Sequence, residues 1–215
     1  MRPVSDLSKV YDALTSRLRR LRRLYNVGAD AAAGKSELIS YAVIELDNLV
    51  LSAMRVLLIS SVRNARTLSG VRVRSVFSLR EEGEIAAFTL SVVNNQAFIR
   101  MGSPIRIDRK QEPTVRDPRA VERVFSAAGL TNTPSLQSAL ALNATLFANL
   151  ATLRNFYAHR NADTWRKARR KATDMGIYAV SSVDDIVKSL VPGRAVRVYE
   201  DWLDEAELFF EEACK

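Results

Sequence analysis

Hydrophobic residues near the start of the chain recur at the spacing of an α-helix. Successive members of this stripe are four, three, four, three and four residues apart, so they share one helical face. Ser5 precedes the stripe and is predicted to cap the helix, because its hydroxyl can accept a hydrogen bond from a free backbone N–H. The stripe consists of Leu7, Tyr11, Leu14, Leu18, Leu21 and Tyr25.

The rest of the chain also favours helices, because only 8 Gly and 6 Pro occur in 215 residues. Segment 102–118 holds three of the prolines and is predicted to be a loop. Only segment 71–76 has a strand pattern, and this pattern is weak. The fold class is therefore predicted to be all-α, a bundle of long helices with additional short helices, in one domain over residues 1–215. The other predicted helices cover 36 to about 68, 84–101, 118–129, 133 to about 160 and 163–176, and Ser182 and the Pro192-Gly193 break frame two more.

Charge is unevenly distributed along the chain. The 32 Lys and Arg exceed the 24 Asp and Glu, which gives a formal charge of +8. Residues 200–215 carry seven acids and one base, so the last helix is acidic and the preceding body carries +14. A basic body favours an anionic partner.

Composition also limits the metal chemistry and the cellular location that we expect for the protein. The longest apolar stretch contains Glu45, Asp47 and Arg55, so no membrane span is expected. The first residues lack the pattern of a signal peptide, and a cytoplasmic location is expected. Because the chain has one histidine, His159, and one cysteine, Cys214, it cannot form a multi-histidine or cysteine-rich metal centre alone. We expect no metal and no other cofactor.

Basic side chains form two clusters. The first interleaves with the leucine stripe of the N-terminal helix, where it is either a solvated helix face or a surface for nucleic acid or a protein partner. The second follows the histidine and is either a solvated surface or a phosphate-binding surface, which would hold the backbone of a nucleic acid such as RNA. The first cluster is Arg17, Arg19, Arg20, Arg22 and Arg23, and the second is Arg160, Arg166, Lys167, Arg169, Arg170 and Lys171.

The lone histidine lies near the end of a predicted helix with an unusual face. Asn155 and His159 are four residues apart, so they share a face, with Arg154 on its flank. Tracing this face backwards gives a seam of small and polar residues that would let another helix approach closely, of this chain or of a second copy. The seam consists of Ala141, Thr145, Ala148, Thr152, Asn155 and His159, beside a bulky stripe of Leu142, Leu146, Leu153 and Phe156.

The segment Arg154-Asn155-Phe156-Tyr157-Ala158-His159 resembles the R-x4-6-H motif of HEPN domains, in which a polar residue often follows the arginine. The resemblance implies a compact helical bundle and a metal-independent endoribonuclease that acts as a toxin or as an effector of antiviral or stress defence. It further implies a homodimer in which two copies of the motif form one composite site. A partner antitoxin or regulatory protein is also implied.

The roles implied by the resemblance agree with the chemistry of the side chains. Cleaving RNA without a metal requires a base for the ribose 2′-hydroxyl, an acid for the leaving 5′-oxygen and positive charge near the phosphate. His159 can act as base or acid at neutral pH, Arg154 can hold the phosphate, and Asn155 can orient either group. Because one imidazole cannot readily serve as both base and acid, the single histidine agrees with a site shared by two chains.

One departure from related toxins concerns the position two residues after the histidine. HEPN toxins that are paired with nucleotidyltransferase antitoxins commonly have a tyrosine there, which the antitoxin modifies. This chain has Asn161 instead, so the resemblance does not extend to that mode of neutralisation.

Two other classes of function remain open at this point. The chain could be a non-catalytic helical module that binds nucleic acid or a protein, or a structural helical adaptor. In either case Arg154 and His159 would stabilise a helix by placing cationic side chains near its C-terminal end.

Overall fold

A computed structural model of the protein describes residues 3–30, 36–77, 79, 81–94 and 115–215. These residues form nine α-helices and isolated β-bridges, without a strand, so the predicted all-α class is confirmed for the described part. The helices are α1 Leu7–Ala29, α2 Ser36–Val62, α3 Glu82–Val93, α4 Pro118–Ala127, α5 Thr133–Ala141, α6 Leu146–His159, α7 Ala162–Asp174, α8 Val183–Lys188 and α9 Val198–Ala213.

Contacts within the chain group these elements into two compact units. The first unit comprises Met1–Ala13, Leu51–Asn143 and Phe209–Lys215, and the second comprises Leu14–Val50 and Ala144–Leu208. Helices α1, α2 and α9 each contribute residues to both units. The single domain over residues 1–215 stays a prediction.

The leucine stripe of α1 is buried as predicted, except that Tyr11 is only half-buried. The predicted cap is wrong by one residue. Asp6, rather than Ser5, accepts a hydrogen bond from the Ser8 N–H at 3.0 Å, whereas the Ser5 carbonyl accepts from the Arg66 N–H. The hydrogen bond from Ser8 lowers the pKa of Asp6, as expected for an ionised helix cap.

Helix α2 ends at Val62, six residues before the predicted end. Asn64 adopts the left-handed conformation, with φ of 61°, and turns the backbone out of the helix. The weak strand pattern at 71–76 produces only an isolated antiparallel bridge between Arg66 and Arg72. Much of the predicted loop 102–118 and the end of the predicted helix 84–101 lie outside the described residues.

Several predicted helix boundaries are confirmed by their capping contacts. Asp117 accepts from the Arg119 N–H at 2.9 Å with Pro118 in the first turn, and Gly129 ends this segment with φ of 59°. Ser182 caps α8 by accepting from the Asp185 N–H at 3.1 Å. Local sequence therefore determines these boundaries.

The predicted continuous helix over 133–160 is wrong. Helix α5 ends at Ala141, Asn143 is left-handed with φ of 52°, and α6 begins at Leu146. The Glu205 carboxylate of α9 accepts hydrogen bonds from the Thr145 and Leu146 N–H groups at 2.9 and 2.8 Å. These bonds satisfy backbone donors that a continuous helix would have paired internally. The break removes Ala141 from the predicted seam and leaves Leu142 half-exposed.

A buried aromatic pair organises the core of the second unit. Tyr25 and Tyr199 stack with ring centroids 4.5 Å apart. The Tyr25 hydroxyl donates to the Val187 carbonyl at 3.0 Å, and the Tyr199 hydroxyl donates to the Ala42 carbonyl at 2.9 Å. Burial raises the pKa of Tyr25 to about 12, so this phenol remains a neutral donor. The pair thus joins α1, α2, α8 and α9.

Among the described helices, none is by itself both long and apolar enough to cross a membrane. Helices α5 and α6 meet that test only when they are taken together across their break.

We predict that Glu205→Ala lowers the free energy of unfolding by about 1–2 kcal/mol, because it leaves the first donors of α6 without their acceptor. Chemical denaturation followed by circular dichroism measures the change. Glu207→Ala, on the same helix, is the matched control and should stay within about 0.5 kcal/mol of the parent. Equal losses in the two variants would contradict the capping role of Glu205.

The pH dependence of stability offers a second test of the Glu205 carboxylate. Burial raises its pKa above the ordinary 4.5, so the folded chain binds more protons than the unfolded chain just above pH 4.5. The contribution of Glu205 therefore makes stability fall as the pH rises through this window. Subtracting the profile of Glu205→Gln from that of the parent should isolate this slope, and superimposable profiles would refute it.

Candidate functional site

The segment Arg154 to His159 forms the last turns of α6, and the buried face of this helix fixes its orientation. Leu150, Leu153 and Tyr157 point into the core, so Asn155 and His159 are exposed. The Tyr157 hydroxyl donates to Asp184 Oδ1 of α8 at 2.7 Å, and burial raises the pKa of this phenol well above its ordinary value. The predicted shared face of the amide and the imidazole is therefore present.

A tight turn connects α6 to α7. Arg160 adopts the left-handed conformation, with φ of 44°, and its N–H donates to the Phe156 carbonyl at 2.7 Å. Asn161 then caps α7 by accepting from the Thr164 N–H at 2.9 Å. The ring centroids of Phe156 and Trp165 lie 6.0 Å apart, so the two helices pack against each other directly after the turn.

A cavity of about 570 Å³ lies between α6 and α7, and we call it the α6–α7 groove. It includes five of the nine predicted site residues, namely the amide, the imidazole and three cationic side chains. Thr152, Thr164 and Asp174 complete its wall. The groove is lined by Thr152, Asn155, His159, Thr164, Lys167, Arg170, Lys171 and Asp174.

Positive charge dominates the groove, because three cationic side chains face one carboxylate. Lys171 Nζ lies 3.8 Å from Asp174 Oδ2, and Lys167 Nζ lies 2.7 Å from Asp163 Oδ2 outside the groove. The hydrogen bond from Lys167 lowers the pKa of Asp163. Arg170 is exposed and has no carboxylate partner among the described residues. Its guanidinium is therefore available to an anion that enters the groove.

Arg154 lies on the flank of the groove face, as predicted, and its charge is directed towards α2. Its Nε is 3.6 Å from Oδ2 of Asp47, a residue that is only 4% exposed. Its Nη1 donates to Asn155 Oδ1 at 3.5 Å. Arg154 thus lies between a buried carboxylate and the amide of the groove, and it does not line the groove itself.

The remaining predicted RNA-binding residues also lie outside the groove lining. Arg160 Nη2 donates to Ser40 Oγ at 3.4 Å, and Arg166 Nη1 lies 3.6 Å from Asp163 Oδ1. Arg169 is exposed on the side of α7 away from these lining positions. The structure therefore separates the second basic cluster into groove and non-groove members.

Sequence reasoning missed the contribution of α7 hydroxyl and carboxylate groups to the groove. Thr164, Lys167, Lys171 and Asp174 follow one another at spacings of three, four and three residues, so one helical face carries them all. The same spacing rule that grouped Asn155 with His159 would have found this face. No group of three His, Cys, Asp or Glu side chains in the described residues is placed to hold a metal ion.

The shortened seam on α6 is accessible in the single chain. Ala148, Asn155 and His159 are exposed, and Thr152 is half-buried. A second copy of the chain on this face stays a prediction.

We predict that Arg154→Met lowers the free energy of unfolding by about 1–3 kcal/mol, because it removes the cation beside the buried Asp47 carboxylate. His159→Ala, an exposed position on the same helix, should change it by less than about 0.5 kcal/mol. A double-mutant cycle with Asp47→Asn measures the coupling directly. A coupling energy of zero would contradict a stabilising ion pair.

No protein-family model matches this sequence, no curated protein matches it, and no solved structure matches its fold. The resemblance to HEPN domains therefore depends on the motif residues Arg154 to His159 and the all-α class.

Proposed function

We propose that this protein is a metal-independent endoribonuclease of the HEPN type, with the α6–α7 groove as its RNA-binding site. The observation that carries the proposal is the exposed imidazole of His159 in a groove that also contains Asn155 and three cationic side chains. An imidazole beside positive charge suits a phosphodiester, because proton transfer and phosphate binding are needed at the same place.

The reaction requires no group beyond the RNA and the protein side chains. A base removes the proton of the ribose 2′-hydroxyl, and the 2′-oxygen forms a bond to the adjacent phosphorus. The bond from phosphorus to the 5′-oxygen breaks, and an acid protonates that oxygen. The products are a 2′,3′-cyclic phosphate and a free 5′-hydroxyl, and no oxidant or metal takes part.

Two copies of the chain supply the base and the acid in this proposal. Each chain has one histidine, and a single imidazole cannot readily fill both roles on one phosphate. The small exposed side chains of α6, such as Ala148 and Ala158, leave room for a second α6 to approach. The proposed mechanism therefore requires a homodimer.

The geometry refines the roles of the arginines. Lys167, Arg170 and Lys171 line the groove and would contact the phosphate oxygens. Arg154, which contacts both Asp47 and Asn155, would position the amide beside the imidazole. We therefore propose Arg154 as a positioning residue and His159 as the catalytic residue.

The cellular role in the proposal follows from the same resemblance. An RNA-cleaving protein of this type serves as a toxin or as an effector of antiviral or stress defence in the cytoplasm. Its activity would be restrained by an antitoxin or another regulatory protein.

We predict that His159→Ala abolishes cleavage of RNA by the purified protein, because it removes the proton-transferring group. Cleavage by the parent should persist in EDTA, and its products should carry 2′,3′-cyclic phosphate and 5′-hydroxyl ends. Denaturing gels and mass spectrometry of a labelled RNA measure all three properties. Full cleavage by His159→Ala, or loss of parental cleavage in EDTA, would refute the proposal.

Two adjacent arginines of α7 provide a matched test of the groove. Arg170→Gln should reduce cleavage about tenfold or more, because it removes a phosphate-binding fork. Arg169→Gln removes the same charge from an exposed position outside the groove and should leave cleavage nearly unchanged. Equal effects would indicate general electrostatic attraction rather than a defined site. Salt-sensitive RNA binding without cleavage would instead favour a non-catalytic binding module.

A further inference from the structure

The segment that follows α2 in the first unit is rich in arginine and lacks acidic residues. Residues 63–77 contain four arginines and no Asp or Glu. All four are exposed, and we call Arg66, Arg72 and Arg74 the arginine platform.

Backbone pairing places the three guanidinium groups on one face. Arg66 and Arg72 are directly opposite each other in an antiparallel bridge, flanked by hydrogen bonds of 2.8 Å from Val73 N–H to the Ala65 carbonyl and from Thr67 N–H to the Val71 carbonyl. Side chains of opposed residues project to the same side. Val73 is fully buried between exposed neighbours, so Arg74 lies on the same side as Arg72.

The platform has little compensating negative charge among the described residues: the Asp6 carboxylate interacts electrostatically with Arg66 but forms no ion pair with it. None of its three guanidinium groups forms an ion pair or a side-chain hydrogen bond there. The Asp6 carboxylate, which a parallel bridge brings near Arg66, accepts from the Ser8 N–H and caps α1. Like charges placed directly opposite each other destabilise a pair of extended segments. No ion pair among the described residues therefore offsets the repulsion between the two opposed arginines.

The backbone under the platform is fixed by hydrogen bonds to other parts of the first unit. Arg66 N–H donates to the Ser5 carbonyl at 3.0 Å, and the Arg66 carbonyl accepts from Leu7 N–H at 2.7 Å. Arg74 N–H donates to Thr131 Oγ1 at 3.0 Å, and the Arg74 carbonyl accepts from Thr131 N–H at 3.1 Å. The arginines thus extend from a preorganised backbone, which lowers the cost of ordering them around a ligand.

We propose that the arginine platform is a second RNA-binding surface, which holds successive phosphodiester groups through the guanidinium forks of Arg66, Arg72 and Arg74. The guanidinium fork matches phosphate oxygens in pairs, and a polyanion removes the repulsion between the opposed arginines. The choice of RNA as the polyanion rests on the proposed function, whereas the platform itself belongs to the first unit and shares no residue with the α6–α7 groove.

The test measures binding of a fluorescein-labelled single-stranded RNA by anisotropy over a series of salt concentrations. All proteins carry His159→Ala to prevent the proposed cleavage, and denaturing gels check that the RNA is intact. The variant Arg66→Gln/Arg72→Gln/Arg74→Gln should raise Kd about tenfold or more and should reduce the slope of log K against log salt by about 2. The matched control, Arg17→Gln/Arg19→Gln/Arg20→Gln, removes the same charge from exposed positions of α1 and should raise Kd less than about threefold.

A comparable loss of affinity in both triple variants, or no loss in the platform variant, would overturn the proposal. Because the opposed like charges are removed, the platform variant should melt at the parental temperature or above it. If it melts lower, the single variant Arg72→Gln replaces it in the binding measurement, with an expected rise in Kd of about threefold.

Cleavage is measured separately with His159 intact. Binding that depends on the platform, without cleavage, therefore refutes only the proposed function. Cleavage without platform-dependent binding refutes only the platform.

Discussion

The Glu205 carboxylate determines where α6 begins, and the arrangement of the candidate site depends on that start. Its two oxygens accept the Thr145 and Leu146 N–H groups, so a helix starts there instead of continuing from α5. Burial disfavours the ionised carboxylate, whereas the backbone donors favour it, and the raised pKa shows that burial has the larger effect. Helix α6 then reaches its C-terminal turn at His159, where left-handed Arg160 turns the chain into α7.

The sequence allowed most helices with strong local signals to be predicted, although it placed the cap of α1 at Ser5 instead of Asp6. It also failed where a distant residue decides the outcome. The stripe from Leu7 to Tyr25, apart from half-buried Tyr11, and the helix starts at 118 and after Ser182 depend on nearby residues, and these were correct. The break between α5 and α6 depends on Glu205, which lies 60 residues further along the chain than Thr145. No periodicity within 133–160 contains that information.

The candidate site was predictable to a similar degree. Helical spacing correctly placed Asn155 and His159 on one exposed face, because that relation is local. The partner of Arg154 was not predictable, since Asp47 comes from a different helix and is buried by tertiary packing. A motif can identify a charged residue, but only the fold shows which group its charge faces. The same reason explains why only some of the basic residues after His159 line the groove.

The presence of a single histidine, His159, has a consequence for spectroscopy. Because the chain contains no other histidine and this imidazole is exposed in the groove, every imidazole resonance of the protein arises from a single defined location. Nuclear magnetic resonance of a histidine-labelled sample would therefore need no assignment before it reports on the groove. Each molecule that enters can be detected at one ring, and a symmetric pair of chains would still give one set of signals.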